Sequence, residues 1–261
     1  MEEFARSPSG SLISGWAALR LHRVNFCDGR DDRLRELPVP VVLPPRRSMR
    51  PVGIEVHRGV VRESERTVRF GVSCTTSVRA LFDAMSWAPD ERAGVVLADM
   101  AFAARAVARL AFERYVEGRA GDKGAAKVSL MLPLTEVRSR SPKETQMRLI
   151  WVLDAGLPRP RCNWPVLGPG GRRVGRPDLL CEGLAVVGEF DGADHRDAVV
   201  QAVDVAKEGD YRNLGLESFR IVGRDLEDTE LVVARMHSAV RRAEQAQRLR
   251  LWTIPTDPGR L

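Results

Sequence analysis

Asp178 follows Arg176-Pro177, and a few residues later the run Glu189-Phe190-Asp191 leads into Gly192 and His195. Glu189 and Asp191 are two residues apart, a spacing that points both side chains to one face of a strand, and a neighbouring strand can bring Asp178 beside them. Like charges opposed across a sheet repel, so a fold tolerates such a cluster mainly when a cation or a proton sits among the carboxylates. Hard oxygen donors suit Mg²⁺ (or Mn²⁺), which keeps several waters and takes one or two carboxylates plus a substrate phosphate. The pattern is that of metal-assisted hydrolysis. The same acids capping strand ends and pairing with nearby arginines would instead be structural, and spacing alone leaves both readings open.

Other residues carry the same ambiguity. An imidazole at His195 can act as a base or a phosphate contact near neutrality, or stand idle at a helix start. Glu144 falls at N3 of a helix whose N-cap is Ser141, so a capping box competes with a role beside a metal. Arg176, Arg196, Arg212 and Arg220 either contact a phosphate backbone or neutralise the acids. The Gly168-Pro169-Gly170-Gly171-Arg172-Arg173 stretch reads as a hairpin turn, because no G-K-[ST] follows to make a phosphate loop. Cys162 and Cys181 read as buried strand residues, and Trp151, Trp164 and Phe190 as core or sheet cover.

The elements that must position these residues show a change of character along the chain. Leu12 to Arg23 has helical apolar spacing, the prolines at 38, 40, 44, 45 and 51 bound short strands, and Ser73 to Thr76 supplies a hydroxyl N-cap for the helix that follows. Alanine-rich helical patterns then run from Asp90 to Glu117 and on toward Leu132. The polar, proline-bounded stretch Pro133 to Pro142 marks a domain boundary. Two domains result: 1–132, an α+β module rich in helices, and 133–261. In the second, a helix over Lys143 to Ala155 precedes a three-strand meander. A helix over Val199 to Leu214, a strand over Leu216 to Val222 and a helix over Thr229 to Arg250 complete it.

The chain has 261 residues, 44% of them hydrophobic and 29% charged, which suits a protein with a core and excludes a disordered tail. Forty-one basic against thirty-five acidic residues give +6 and a pI near 9.6, a bias toward polyanionic partners. Only Lys123, Lys127, Lys143 and Lys207 are lysines, so the positive charge is almost all arginine. The four cysteines have neither C-x-x-C pairing nor histidines at zinc spacing. No apolar run approaches membrane-spanning length, and no signal core opens the chain. The expectation is a cytoplasmic protein with reduced thiols and no membrane partner.

Residues 139–226 resemble a bacterial domain related to very-short-patch-repair (Vsr) endonucleases, of the PD-(D/E)xK restriction-endonuclease-like fold. The motifs are S-P-x-E at Ser141 to Glu144, G-L-P-x-P at Gly156 to Pro160, R-P-D-L at Arg176 to Leu179 and E-x-D-G-x-x-H at Glu189 to His195. Asp204, Lys207-Glu208 and G-L-E-x-x-R at Gly215 to Arg220 extend them. The resemblance implies an α/β protein whose second domain has an αβββαβ core. It implies Asp178 and Glu189 as the metal-binding pair for Mg²⁺ or Mn²⁺, and Glu144 as a further metal or water partner. It also implies a catalytic set completed by Asp191 and His195, and with a nucleic-acid substrate the phosphate contacts expected are Arg176, Arg196, Lys207 and Arg212. Asp191 stands where the family carries a lysine. The patch-repair enzymes also lack that lysine and use histidine nearby. The implied activity is phosphodiester hydrolysis by a metal-dependent DNA endonuclease, in repair or phage defence. The alternative is a non-catalytic DNA-binding regulator or antitoxin-like protein on the same scaffold.

Gly15 to His22, Gly53 to Gly59 and Gly71 to Asp83 are similar to AbiEi-type abortive-infection antitoxins and regulators, over about residues 10–130. That similarity implies a module that positions DNA or a protein partner.

Overall fold

The computed structural model describes residues 9–31, 34–47, 52–192 and 208–257. The architecture is mixed α/β, and the chain divides into two compact units, Met1–Val137 and Arg138–Leu261. Among the described residues no helix is long and apolar enough to cross a membrane. All four cysteines are buried free thiols.

The first unit is built on a five-stranded sheet ordered β3-β2-β1-β5-β4. Its centre is β1 (Leu12–Ile13), antiparallel to β2 (Val39–Leu43) and parallel to β5 (Val72–Thr75). Outside these lie β3 (Ile54–Arg58), parallel to β2, and β4 (Arg66–Arg69), antiparallel to β5. Leu12 and Ile13 are therefore not helical as their spacing predicts. Both are buried between strands, and helix α1 (Gly15–Leu21) starts only after them. Helices α2 (Ser77–Trp87), α3 (Glu91–Ala103), α4 (Arg109–Glu117) and α5 (Ala125–Met131) follow. The hydroxyl expected to cap α2 does other work: Thr76 makes no side-chain cap bond, while Thr75 Oγ1 lies 2.9 Å from Ser14 Oγ.

A charged network runs through this unit. Arg79 and Asp83, one turn apart on α2, are joined by Nε to both carboxylate oxygens at 2.9 Å. Arg79 Nη1 also reaches Glu65 Oε2 at 3.2 Å, and Ser14 donates to Asp83 at 2.6 Å. The hydroxyl of Tyr115 and the guanidinium of Arg119 both donate to Glu65 Oε1. Glu65, Arg79, Asp83 and Arg119 are all buried.

In the second unit, α6 (Pro142–Leu149) passes directly into a π-helical turn, Ile150–Asp154. The main sheet is ordered β11-β10-β9-β6. Its strands are β6 (Arg161–Cys162), β9 (Leu179–Cys181), β10 (Val186–Asp191) and β11 (Glu217–Val222). β6, β9 and β10 run antiparallel to one another in turn, and β11 pairs parallel to β10. The run Cys162 to Leu167 is not the single strand its apolar residues suggest. Asn163 takes a left-handed backbone (φ 50°), β6 ends there, and the chain restarts as β7 (Val166–Leu167), which forms a separate ribbon with β8 (Arg173–Gly175). Residues 208–213 are helical, and α7 (Thr229–Ala246) closes the set.

Side-chain alternation gives the sheet two different faces. Leu179, Cys181, Val186, Phe219 and Ile221 meet Met147, Ile150 and Trp151 together with Val232, Met236 and Ala239 of α7. Leu180 and Val187 turn the other way, toward Val166, Tyr211, Leu214 and Trp252. The second cluster explains why α7 stops four residues short of Arg250. Gln247 turns left-handed (φ 41°), and the chain returns so that Thr253 pairs with Leu167 and Trp252 is buried.

Candidate functional site

The antiparallel register pairs Val186 with Cys181, Val187 with Leu180 and Gly188 with Leu179. One further step sets Glu189 opposite Asp178, so both side chains lie on the Leu180–Val187 face, at the end where apolar residues give way to polar ones. Asp178 Oδ2 accepts the backbone N–H of Phe190 at 2.7 Å, which fixes the carboxylate across the strand pair. Glu189 Oε1 accepts the hydroxyl of Tyr211 at 3.3 Å. The phenol is buried, and its proton is held well above the ordinary tyrosine range, first by loss of water and then by the charges of Glu189 and Asp178. Both carboxylates therefore act on one hydroxyl. On the opposite face of the strand Gly188 makes room for its register partner on β11: a methyl group there would stand 2.4 Å from the ring of Phe219.

Asp191 lies two residues on along the same face, with Oδ2 3.8 Å from Arg220 Nη1, and Arg220 is the register partner of Glu189 on β11. A cleft of ≈ 270 Å³ opens here, lined by Glu189, Glu208, Tyr211, Arg220, Arg235 and Arg242.

Glu144 is reached through an intermediary. Ser141 caps α6 by accepting the Glu144 N–H at 3.2 Å, and the Glu144 carboxylate reaches back past the cap, accepting the Ser141 hydroxyl at 3.1 Å on Oε1 and the Arg140 N–H at 2.9 Å on Oε2. The side-chain amide of Asn163 donates to the same Oε2 at 2.7 Å, while its backbone N–H donates to the Asp178 carbonyl at 3.1 Å. Asn163 thus ties the helix bearing Glu144 to the strand bearing Asp178. Neither Asn163 nor Tyr211 stood out in the sequence. The one visible signal is a lone asparagine inside an otherwise apolar run, just before Trp164-Pro165.

Arg212 sits on the exposed surface, paired with Glu208 at 3.0 Å. Arg176 lies directly before Pro177-Asp178, with Nε shielded from solvent. His195, Arg196 and Lys207 lie outside the described residues, as does most of the helix expected over Val199 to Leu214. Among the described residues, no group of three or more His, Cys, Asp or Glu is arranged to hold a metal ion. What the described residues offer is a pair of half-buried carboxylates, each already oriented by a hydrogen-bond donor. Two hard oxygen donors of that kind match the share that a protein supplies to Mg²⁺ when substrate phosphate completes the shell.

No family model matches the chain, and no solved structure matches it. Two uncharacterised proteins of Mycobacterium tuberculosis, one from strain CDC 1551 / Oshkosh and one from strain H37Rv, are each 29% identical to it over 156 residues, 59% of this chain and 55% of theirs. The chain spans about half the length of the curated relatives it matches.

Proposed function

We propose that the second unit is a metal-dependent nuclease domain that hydrolyses phosphodiester bonds in DNA, with Asp178 and Glu189 as its metal-holding pair. The observation that carries the reading is the Asp178–Glu189 juxtaposition across β9 and β10, with both charges acting on the buried Tyr211 hydroxyl. The order of elements supports it further: a capped helix, strands β6, β9 and β10 in antiparallel succession, a helical stretch, and β11 parallel to β10. That succession fits the αβββαβ core of the restriction-endonuclease-like fold.

A bound Mg²⁺ or Mn²⁺ supplies Lewis acidity and lowers the pKa of a water. The protein's own part is orientation. The Phe190 N–H and the Tyr211 hydroxyl hold the two carboxylates in place, so that they need not reorganise when charge develops nearby. Glu144 is held by Ser141, the Arg140 N–H and Asn163, whose backbone N–H in turn meets the Asp178 carbonyl. Arg220, beside Asp191, meets negative charge at the other end of the pair. Asp191 in the family's lysine position, with Arg220 3.8 Å away, favours the second reading, a DNA-binding regulator on the same scaffold.

Supercoiled plasmid incubated with the full chain and Mg²⁺ or Mn²⁺ separates the two. Nicking that is lost in both Asp178→Asn and Glu189→Gln is the expected result. Nicking that survives in both variants, or never appears with the parent chain, removes the hydrolase reading.

A further inference from the structure

A cleft of ≈ 410 Å³ opens in the first unit where four segments meet: the turn after α1, the tip of the β4–β5 hairpin, the first turn of α2 and the loop after α3. Its walls carry His22, Arg23, Arg69, Phe70 and Ser77, and no acidic side chain among the described residues lines it. The cleft of the second unit differs, because Glu189 and Glu208 share its walls with the arginines. In the first unit the walls are held by polar links. Ser77 Oγ donates to the Ala106 carbonyl at 2.8 Å, which ties the start of α2 to the loop after α3. His22 donates from Nε2 to the Thr75 carbonyl, and its Nδ1 lies 3.4 Å from Arg69 Nε, so the ring steers that guanidinium along the wall. The Arg23 guanidinium stands 5.7 Å from the centre of the Phe70 ring.

Neither the turn nor the core accounts for Phe70. Arg69 pairs with Val72, so Phe70 and Gly71 form a two-residue hairpin loop, and both are left-handed, at φ 51° and 77°. A loop of that kind favours Asn-Gly, and a large side chain at its first position is sterically disfavoured. The ring adds little to the core in exchange, being 68% exposed. Arg23 beside it is also left-handed without being glycine, at φ 63°. Two strained non-glycine residues on the walls of one cleft mark side chains that outweigh the backbone's own preference.

Two guanidiniums with no carboxylate opposite them suit a dianion such as a phosphate monoester, which accepts from both in forked pairs. The exposed ring beside them offers a flat apolar surface on which a base stacks, whatever its identity. The volume lies in the range of small-ligand clefts and exceeds what inorganic phosphate alone fills. We propose that this cleft binds a nucleoside phosphate, with Arg23 and Arg69 on the phosphate and Phe70 under the base. The site is independent of the hydrolase reading, and neither falls with the other.

The test is isothermal titration calorimetry of the full chain with adenosine 5′-monophosphate, in EDTA so that no divalent ion carries the phosphate to the carboxylates of the second unit. Adenosine, ribose 5-phosphate and inorganic phosphate serve as its parts, and each is expected to bind at least about tenfold more weakly than the whole. Phe70→Asn restores the residue that the turn favours, so it should melt at or above the parent temperature while losing about tenfold in affinity, a combination that a merely structural ring does not give. Arg69→Ala, at an exposed position, should weaken the monophosphate about tenfold or more and leave adenosine unchanged, with a melting curve to check that it stays folded. Leu34→Gly relieves a left-handed residue of the same unit that does not line the cleft, φ 60°, and should leave binding as it is. An oligothymidylate competitor names the source: displacement assigns the cleft to a nucleotide within a strand, and its absence to a free nucleotide, and both keep the site. The proposal is overturned if the parent chain takes up no monophosphate at millimolar concentration, if any of the three parts binds as tightly as the whole, or if either Phe70→Asn or Arg69→Ala keeps the parental affinity.

Discussion

Both units gather acids and arginines, but they do so in opposite ways. In Met1–Val137 the carboxylates of Glu65 and Asp83 are buried at 4% and 2% exposure, and each is closed off by arginine, hydroxyl or backbone donors inside the fold. Burial pushes the Asp83 carboxyl up, and Arg79 and Ser14 pull it back. In Arg138–Leu261, Asp178 and Glu189 are only half-buried, and they are held by the Phe190 N–H and the Tyr211 hydroxyl at the polar end of the strand pair. The first cluster is complete without a ligand. The second leaves oriented carboxylates part-exposed. A charge cluster points outward, toward a partner, when its acids are held in place without being closed off.

The sharpest way to break this contrast is to remove one charge from each cluster. Arg79→Met leaves the buried Asp83 without a guanidinium and takes one of two from Glu65, and should cost about 3–5 kcal/mol of stability. Glu189→Gln, at a half-buried site, should shift stability by less than about 1 kcal/mol while removing the candidate activity. Urea denaturation of the two variants reads the difference, and equal losses would mean that both clusters are structural. Gly188→Ala comes next in size. Its added methyl meets the Phe219 ring, so about 1–3 kcal/mol should be lost from the second unit. A neutral result would show that Phe219 moves aside freely.

Much of this arrangement was legible before folding was considered. Apolar spacing placed the helix that opens the second unit, the strand segments at β9, β10 and β11 and the closing helix α7, and strand alternation put Glu189 and Asp191 on one face. The division between Val137 and Arg138 falls inside the polar stretch from Pro133 to Pro142. What spacing could not supply was long-range pairing. Leu12 and Ile13 read as a helix because their burial between β2 and β5 depends on residues tens of positions away. Asn163 broke an apolar run because its amide serves Glu144 and its backbone serves Asp178, a demand visible only once α6 and β9 are neighbours. The hairpin of β4 and β5 was missed for a similar reason, since Arg66–Arg69 carries no apolar alternation of its own. Tyr211 became informative only when its hydroxyl met Glu189.

The smallest expected effect concerns pH and separates the units again. His22 donates from Nε2 to the Thr75 carbonyl at 2.9 Å and accepts from Arg69 at Nδ1, 3.4 Å away, a neutral arrangement. Burial lowers its pKa from 6.5, the Thr75 carbonyl raises it and Arg69 lowers it again, for a net depression. Burial also lowers that of His57, against Glu55. A depressed histidine contributes fully above 6.5. Below that value the unfolded chain takes up the proton first, and stability falls until the folded group titrates as well. Melting of the first unit should therefore drop as pH falls from about 7 toward 5, with a shallower drop in His22→Gln. An unchanged profile in that variant would remove His22 as a contributor.

The central claim is that Asp178 and Glu189 share one divalent ion, and titration of the full chain with Mn²⁺, followed by electron paramagnetic resonance of the free ion, tests it without reference to any substrate. The account predicts one site in the parent chain, lost in Asp178→Asn and in Glu189→Gln, and weakened about 10–100-fold in Tyr211→Phe, where the carboxylate loses its orienting hydroxyl. Binding that persists unchanged in both carboxylate variants, or no binding by the parent chain, would contradict it.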